Sequence, residues 1–314
     1  MKALICGVGG QDGAYLAQLL LERGYTVVGT SRDATVTRFD GLQKLGVRDR
    51  VTTVSMAIND FRSVLSTLER HEPDEVYNLA GQTSVGLSFE QPVETMDSVV
   101  GGTLSLLEAI RFLRRPVRFY NAGSSECFGD TGSRPADEGT PFQPRSPYAV
   151  AKASAHWLVR NYRESYGLFA CTGILFNHES PLRPDRFVTQ KIVRAAQRIS
   201  AGSPERLHLG NIEIERDWGW APDYVLAMHM MLAAQEPQDF VIATGRTVSL
   251  AYFLERAFGQ FELDWREHVT LEKALLRPSD IRVGRANPAL AADRLGWVSG
   301  HDVDDVVAGM CREV

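Results

Sequence analysis

Ala3-Leu4-Ile5-Cys6-Gly7-Val8-Gly9-Gly10-Gln11-Asp12-Gly13 is the stretch from which the rest of the 314-residue chain can be read. Four apolar residues form a short strand, and glycines at 7, 10 and 13 follow it directly, ahead of a helical pattern carried by Leu16, Leu19, Leu20 and Arg23. Glycine at those three positions permits a tight turn, close approach of backbone to a pyrophosphate, and close packing of helix on strand; the helix N-terminus then presents amide donors to the anion. The spacing differs by one residue from the commonest dinucleotide fingerprint, so its place between the first strand and the first helix carries the reading. Gly7, Gly10, Gln11, Asp12 and Gly13 are therefore candidate cofactor-binding residues.

Further along, short apolar runs at 26–29, 51–54, 75–79, 117–120, 170–176 and 239–243 alternate with helical patterns, among them 101–113 and 148–166. That alternation predicts an α/β fold, a doubly wound (Rossmann) parallel sheet with crossover helices. Turn-rich sequence such as Glu179-Ser180-Pro181-Leu182-Arg183-Pro184 breaks the rhythm in the second half. A smaller, non-contiguous C-terminal substrate lobe is expected there. Residues 1–176 form the expected dinucleotide-binding domain, with part of 211–245 returning to it, and 177–314 form mainly the substrate-binding lobe.

Composition narrows the function. The formal net charge is -5 and the sequence contains no basic run, which excludes a backbone-tracking nucleic-acid surface. No stretch approaches the roughly 20 apolar residues a bilayer crossing requires, and Met1-Lys2 runs into the first strand without a signal-peptide core. The four cysteines stand apart, with no pair spaced for zinc, so no metal site is expected. A soluble, cytoplasmic protein in a reducing compartment is the expectation.

The end of the second strand sets the choice of cofactor. In Gly29-Thr30-Ser31-Arg32-Asp33, a serine stands where an acid would bind the ribose of NAD, and Arg32 follows it. That favours NADP; the competing reading makes Arg32 a solvated loop charge with Asp33 beside it. In Tyr148-Ala149-Val150-Ala151-Lys152 a phenol and an ammonium lie one helical turn apart on one face. A phenol of pKa ~10 is a poor base at neutral pH, but adjacent positive charge favours the phenolate, which can then take a proton from a sugar hydroxyl. An exposed aromatic–lysine contact on a helix is the plainer alternative. Ala122-Gly123-Ser124-Ser125-Glu126 falls just after the fifth strand, where ligands gather at the carboxyl ends of a doubly wound sheet.

The glycine loop, the hydroxyl cluster and the Tyr-Lys pair, at these spacings, resemble the extended short-chain dehydrogenase/reductase family over the full length of the chain. Glu126 is the informative residue: once C4 of a hexose is oxidised, the C5 proton becomes acidic, and a carboxylate beside Ser124 can take it. The runs 9–13, 144–152, 161–164, 173–181, 187–191, 209–211 and 216–219 resemble the GDP-mannose 4,6-dehydratase family more closely still. That resemblance implies conversion of GDP-mannose to GDP-4-keto-6-deoxymannose by internal hydride transfer through bound NADP. It puts Ser124, Glu126, Tyr148 and Lys152 on catalytic positions. Arg32, Ala80, Tyr148 and Lys152 join the glycine loop on cofactor-contacting positions. Asn177, Arg183, Lys191, Arg216 and Arg277 fall where the nucleotide sugar is contacted, and Thr83 falls near the hexose.

A sugar nucleotide diphosphate carries about two negative charges, so a net-acidic protein needs a local cluster of Arg and Lys to hold it. Arg183, Lys191, Arg216 and Arg277 suit that role, although Arg216-Asp217 also reads as a salt-bridged turn. Two departures from the family pattern stand out. Ala57 occupies the position of an acid that contacts adenine, and the loop after the second strand is shorter and less basic than where neighbouring subunits share a cofactor site. Both a homodimer and a homotetramer stay open. The alternatives in function are a dehydratase or 4-reductase acting on a related GDP-sugar such as a GDP-heptose, and a non-catalytic NADP-binding protein of the same fold.

Overall fold

The computed structural model describes residues 1–275 and 279–312. In chain order the first half runs β1 (Lys2–Cys6), α1 (Gln11–Glu22), β2 (Thr26–Ser31), α2 (Asp40–Lys44), β3 (Val51–Ser55), α3 (Phe61–His71), β4 (Glu75–Asn78), α4 (Val85–Glu90), α5 (Pro92–Met96), α6 (Gly102–Leu113), β5 (Arg118–Ala122), α7 (Pro147–Tyr166) and β6 (Ala170–Leu175). The remainder comprises β7 (Asn177–Glu179), α8 (Val188–Ser200), β8 (Leu207–Leu209), β9 (Glu215–Trp220), α9 (Ala221–Ala233), β10 (Phe240–Ile242), β11 (Thr247–Ser249), α10 (Leu250–Gly259), α11 (Trp265–His268), β12 (Val269–Leu271), α12 (Ala289–Leu295) and α13 (Val303–Arg312).

Seven strands form one parallel sheet in the order β10-β6-β5-β4-β1-β2-β3, the doubly wound arrangement expected from the sequence. Because strand side chains alternate, Ala3 and Ile5 of β1 face a core with Leu16 and Leu20 of α1 and Tyr224 and Met228 of α9. Leu4 and Cys6 face the opposite core, with Val64 and Leu68 of α3, Leu106 and Ile110 of α6, and Val159 of α7. Both faces of the sheet are thus covered, as an all-parallel sheet requires.

Several strands continue past their expected ends, and β5 is the consequential case. Its expected span, 117–120, gives way to Arg118–Ala122 because Asn121 and Ala122 still pair with Thr172 and Gly173 of β6. The buried amide of Asn121 is held there by Asn78 Nδ2 at 3.2 Å, and Asn78 also donates to Thr103 Oγ1 at 3.1 Å. The extension carries the backbone to the carboxyl edge of the sheet just before Ser124. A π-helical turn at Asp97–Gly101, which hydrophobic spacing does not reveal, precedes α6. Its Ser98 hydroxyl accepts from Gln82 N at 3.3 Å and so anchors the loop after β4.

Beyond β6 the chain builds a three-stranded sheet, β11-β9-β7, and a two-stranded sheet, β12-β8. Trp218 packs there with Ile192, Phe253 and Val306 from α8, α10 and α13. The chain returns to the main sheet through α9, which packs on α1, and through β10 at its edge. Arg216-Asp217 is strand, not a salt-bridged turn: Asp217 accepts from Thr244 N, Thr244 Oγ1 and Gly245 N at 3.0, 2.9 and 2.7 Å. Arg216, on the opposite face of β9, is directed to Asp280 at 3.6 Å. No helix among the described residues is long and apolar enough to cross a membrane.

The glycine turn is sterically exacting at Gly13, where a Cβ would stand 2.5 Å from Gly7 O and 2.6 Å from Val8 Cα, both backbone atoms. Gly13→Ala is expected to cost about 1–3 kcal/mol, read as a lower urea midpoint. Gly101→Ala, at a site with nothing within 4 Å, is expected to be close to neutral. An unchanged midpoint for Gly13→Ala contradicts the tight helix-on-strand contact.

Candidate active site

The site is assembled where β5 ends and α7 begins. Ser146 caps α7 by accepting from Ala149 N at 3.1 Å, and Pro147 occupies the first turn, where its missing N–H is harmless. Tyr148 and Lys152 then lie one turn apart on the buried face of the helix, 8 % and 6 % exposed. Lys152 Nζ donates to Ala122 O, the last residue of β5, at 2.9 Å, and stands 5.8 Å from the Tyr148 ring centroid. Gly123 N donates to Gly173 O at 2.8 Å, after which Ser124 caps the short turn Ser125–Phe128 by accepting from Glu126 N at 3.3 Å. Ser124 and Tyr148 line the same cavity, and the Ser124 hydroxyl favours the ionised form of the Tyr148 phenol.

Ser124, Glu126, Tyr148 and Lys152 line one cavity of about 390 Å³. Thr83, Asn177, Arg183, Lys191 and Arg216 line it too, so residues spread from 83 to 216 are brought together. Arg277 lies outside the described residues. The basic side chains are held rather than free: Arg183 Nε is 3.0 Å from Glu179 Oε2 with its guanidinium 3.7 Å above the Phe187 ring, and Lys191 Nζ donates to His208 O at 2.8 Å. Thr189 Oγ1 donates to the same Glu179 oxygen at 2.8 Å.

Burial dominates the proton chemistry. It raises the Tyr148 phenol above its ordinary value, with the Ser124 hydroxyl and the Arg183 charge pulling the other way and Cys127 and Glu126 adding to the rise. It lowers the Lys152 ammonium to about 8, against the attraction of Cys127 and Asp12. Desolvation therefore keeps the phenol protonated until further positive charge reaches it.

The glycine turn lies beside this cavity. Gly7 adopts φ +83° and its carbonyl accepts from Gly10 N at 3.0 Å, so the turn uses a conformation that side chains disfavour. No side chain caps α1 at Gly10, which leaves its first amides to an incoming anion. Ala80 lies against the turn, 3.1 Å from where a Gly7 Cβ would stand. Asp12 lines the main cavity, whereas Gly10 and Gln11 line a second one of about 490 Å³ with Arg38 and Lys44. Arg32 lines neither; it is exposed and paired with Glu94 at 2.9 Å. An uncapped helix start behind a glycine turn, next to a buried Tyr-Lys pair at the strand ends, fits a dinucleotide with its redox ring in the main cavity. Among the described residues no group of three or more His, Cys, Asp or Glu could hold a metal ion.

Cavity-lining residues to which the sequence assigned no role of their own include His178, Glu179, Trp218 and Asp280. Strand alternation offers a signal for Glu179, which shares a face of β7 with Asn177. Asp280 is distant from every motif, and only the fold brings it to Arg216.

A doubly wound sheet with a glycine turn at one strand end and a Ser-Glu-Tyr-Lys cluster at another defines a Rossmann-type protein of the short-chain dehydrogenase/reductase class. UDP-glucose 4-epimerase of Thermus thermophilus, solved with NAD, superimposes with TM-score 0.87 at 24% identity, covering 100% of this chain and 98% of that one. RMD from Pseudomonas aeruginosa, solved with NADPH, gives TM-score 0.82 at 22% identity over 99% and 98% of the two chains. These two share the fold. The family model for GDP-mannose 4,6 dehydratase matches residues 4–310. GDP-mannose 4,6 dehydratase 1 of Arabidopsis thaliana is 45% identical over 321 residues, 99% of this chain and 89% of that protein. The chain belongs to the GDP-mannose 4,6-dehydratase family.

Burial of Lys152 has a direct readout. Because desolvation disfavours the ammonium, its amine is expected to lose its proton near pH 8, visible as the midpoint of competitive acylation at Lys152 followed by peptide mass analysis. A midpoint near the ordinary lysine value of about 10.4 contradicts a desolvated amine.

Proposed function

We propose that the protein is an NADP-dependent lyase that converts GDP-mannose to GDP-4-keto-6-deoxymannose. The observation that carries this reading is that the Tyr148 phenol and the Glu126 carboxylate line one cavity with Ser124, whose hydroxyl accepts from Glu126 N at 3.3 Å. A proton has to leave the C4 hydroxyl and then C5 of one hexose, and this pair offers one base for each.

Tyr148 receives the C4 hydroxyl proton, with the positive field of Lys152 and Arg183 favouring the phenolate. A nicotinamide cofactor, when bound beside this cavity, would supply reversible hydride-acceptor chemistry at the hexose. Glu126 takes the C5 proton, which the C4 ketone has made acidic, and the C6 hydroxyl leaves as water after receiving a proton from Glu126 or Ser124. C5 then regains a proton, so the net change is loss of one water. Arg183, Lys191, Arg216 and Arg277 offset the diphosphate charge, Asn177 contacts the nucleotide sugar, and Thr83 lies by the hexose.

Ser31 in the place of an acid and Arg32 beside it support NADP as the cofactor. The Arg32–Glu94 pair does not oppose this, because an exposed ion pair contributes only ~0–1 kcal/mol and yields readily to a phosphate. Residues 1–176, with part of 211–245, carry the dinucleotide in this reading, and 177–314 mainly carry the sugar nucleotide. The enzyme works in the cytoplasm as a homodimer or homotetramer.

With GDP-mannose the enzyme is expected to yield a product lighter by one water, with no net change in nicotinamide absorbance; steady NADPH consumption contradicts the reading. Glu126→Gln should lower product formation by about 10²–10⁴-fold, and full activity in that variant removes the carboxylate from the mechanism. Arg32→Ala should weaken retention of NADP and leave NAD affinity unchanged, measured by cofactor release; equal loss of both contradicts a phosphate contact.

A further inference from the structure

His178 sits in β7, nearly buried, and both of its ring nitrogens face acceptors. Nδ1 lies 2.7 Å from Phe176 O and Nε2 lies 2.9 Å from Asp12 Oδ2. A carbonyl and a carboxylate can only accept, so each nitrogen must carry a hydrogen, and the ring is an imidazolium. The ring stacks on Tyr224, with centroids 4.5 Å apart and planes at 24°. Neighbouring bonds fix the same junction: Gln11 Nε2 donates to Asp12 Oδ1 at 3.0 Å and to His178 O at 3.2 Å, and Ser180 Oγ donates to Gln11 Oε1 at 2.8 Å. Asp12 and His178 both line the main cavity.

We propose that Asp12 and His178 form a positioning unit of the active site, in which the imidazolium cancels a carboxylate charge that would otherwise act on Lys152. The inference rests on the dehydratase reading in that Lys152 assists Tyr148. Asp12 lies in the first turn of α1, where a carboxylate suits the helix dipole but repels an incoming diphosphate unless paired. Lys152 from α7, Arg183 from the turn after β7, Tyr120 from β5 and Tyr224 from α9 face the pair, and Lys152 itself also faces Cys127 from the turn after β5. Burial alone raises Asp12 and lowers His178, but their mutual charge and hydrogen bond prevail. Asp12 is held at about 2 and His178 above its ordinary value, with Arg183 aiding the first and opposing the second.

A purely mechanical staple and a charge-cancelling pair differ in what half-removal does. Asp12→Asn takes an attractive charge from Lys152, so the ammonium loses its proton more readily and the alkaline limb of kcat/KM moves down. His178→Gln leaves the carboxylate uncompensated, so the ammonium is held more strongly and the limb moves up. Shifts of about one pH unit in opposite directions are expected, with the double variant Asp12→Asn/His178→Gln returning close to the wild-type profile. Shifts in the same direction, or none, overturn the proposal. A second arm needs no activity and no variant: ¹⁵N NMR of the wild-type histidine rings, assigned from the backbone, should show His178 doubly protonated at about pH 7.5, where an ordinary histidine of pKa ~6.5 is largely neutral. A neutral His178 ring at that pH overturns the proposal. Absence of dehydrated product from the wild type refutes the dehydratase reading itself, and the NMR arm still decides the imidazolium.

Discussion

The hydrogen bond from Lys152 Nζ to the carbonyl of Ala122 joins the helix that carries the acid–base pair to the strand end that carries the hydroxyl and the carboxylate. A lysine does not go into a protein interior without a partner for its ammonium. Here the partner is the last backbone carbonyl of β5, and that choice sets the depth and rotation of α7. Tyr148, one turn back, then meets Ser124, and Glu126 follows two residues later on the same short turn. The extension of β5 through Asn121, held by Asn78 and Thr103, is the other half of the constraint, because it brings Ala122 to where the lysine can reach it.

The same burial that fixes the geometry works against the chemistry of each group alone. It favours a neutral phenol and a neutral amine, so the phenol needs positive charge nearby to ionise, while the amine needs negative charge nearby to keep its proton. Arg183 contributes part of the positive charge the phenol needs, and the cavity arranges the rest for an anionic ligand: Lys191 and Arg216 sit on different elements, α8 and β9, and both line it. A ligand that brings two phosphates completes the balance. The Asp12–His178 pair belongs to this balance as well, since it places a carboxylate within reach of Lys152 and neutralises it in the same contact.

Much of this was legible in the sequence, for physical reasons that differ by region. The seven parallel strands announce themselves as short apolar runs because both faces of the sheet are buried. The glycine turn is readable because Gly13 leaves no room for a Cβ, and Tyr148 and Lys152 because helical spacing places them on one face. Strand ends were harder: nothing in the local pattern says that Asn121 continues β5, since its reason is a buried amide network with a residue 43 positions earlier. The π-helical turn at Asp97–Gly101 and the approach of Asp280 to Arg216 were likewise invisible, being products of tertiary packing. His178 and Glu179 stood inside a recognised run, but the partners that define their roles, Asp12 and Thr189, come from α1 and α8.

In the proposed reaction one hydride leaves C4 and returns to C6 of the same hexose while Tyr148 and Glu126 handle the protons. GDP-mannose carrying deuterium at C4, incubated with the enzyme in ordinary water, tests this most directly by NMR of the product. Deuterium is predicted at C6 of the 4-keto-6-deoxy sugar, with a solvent proton at C5. A product in which the C4 deuterium has been lost contradicts the account.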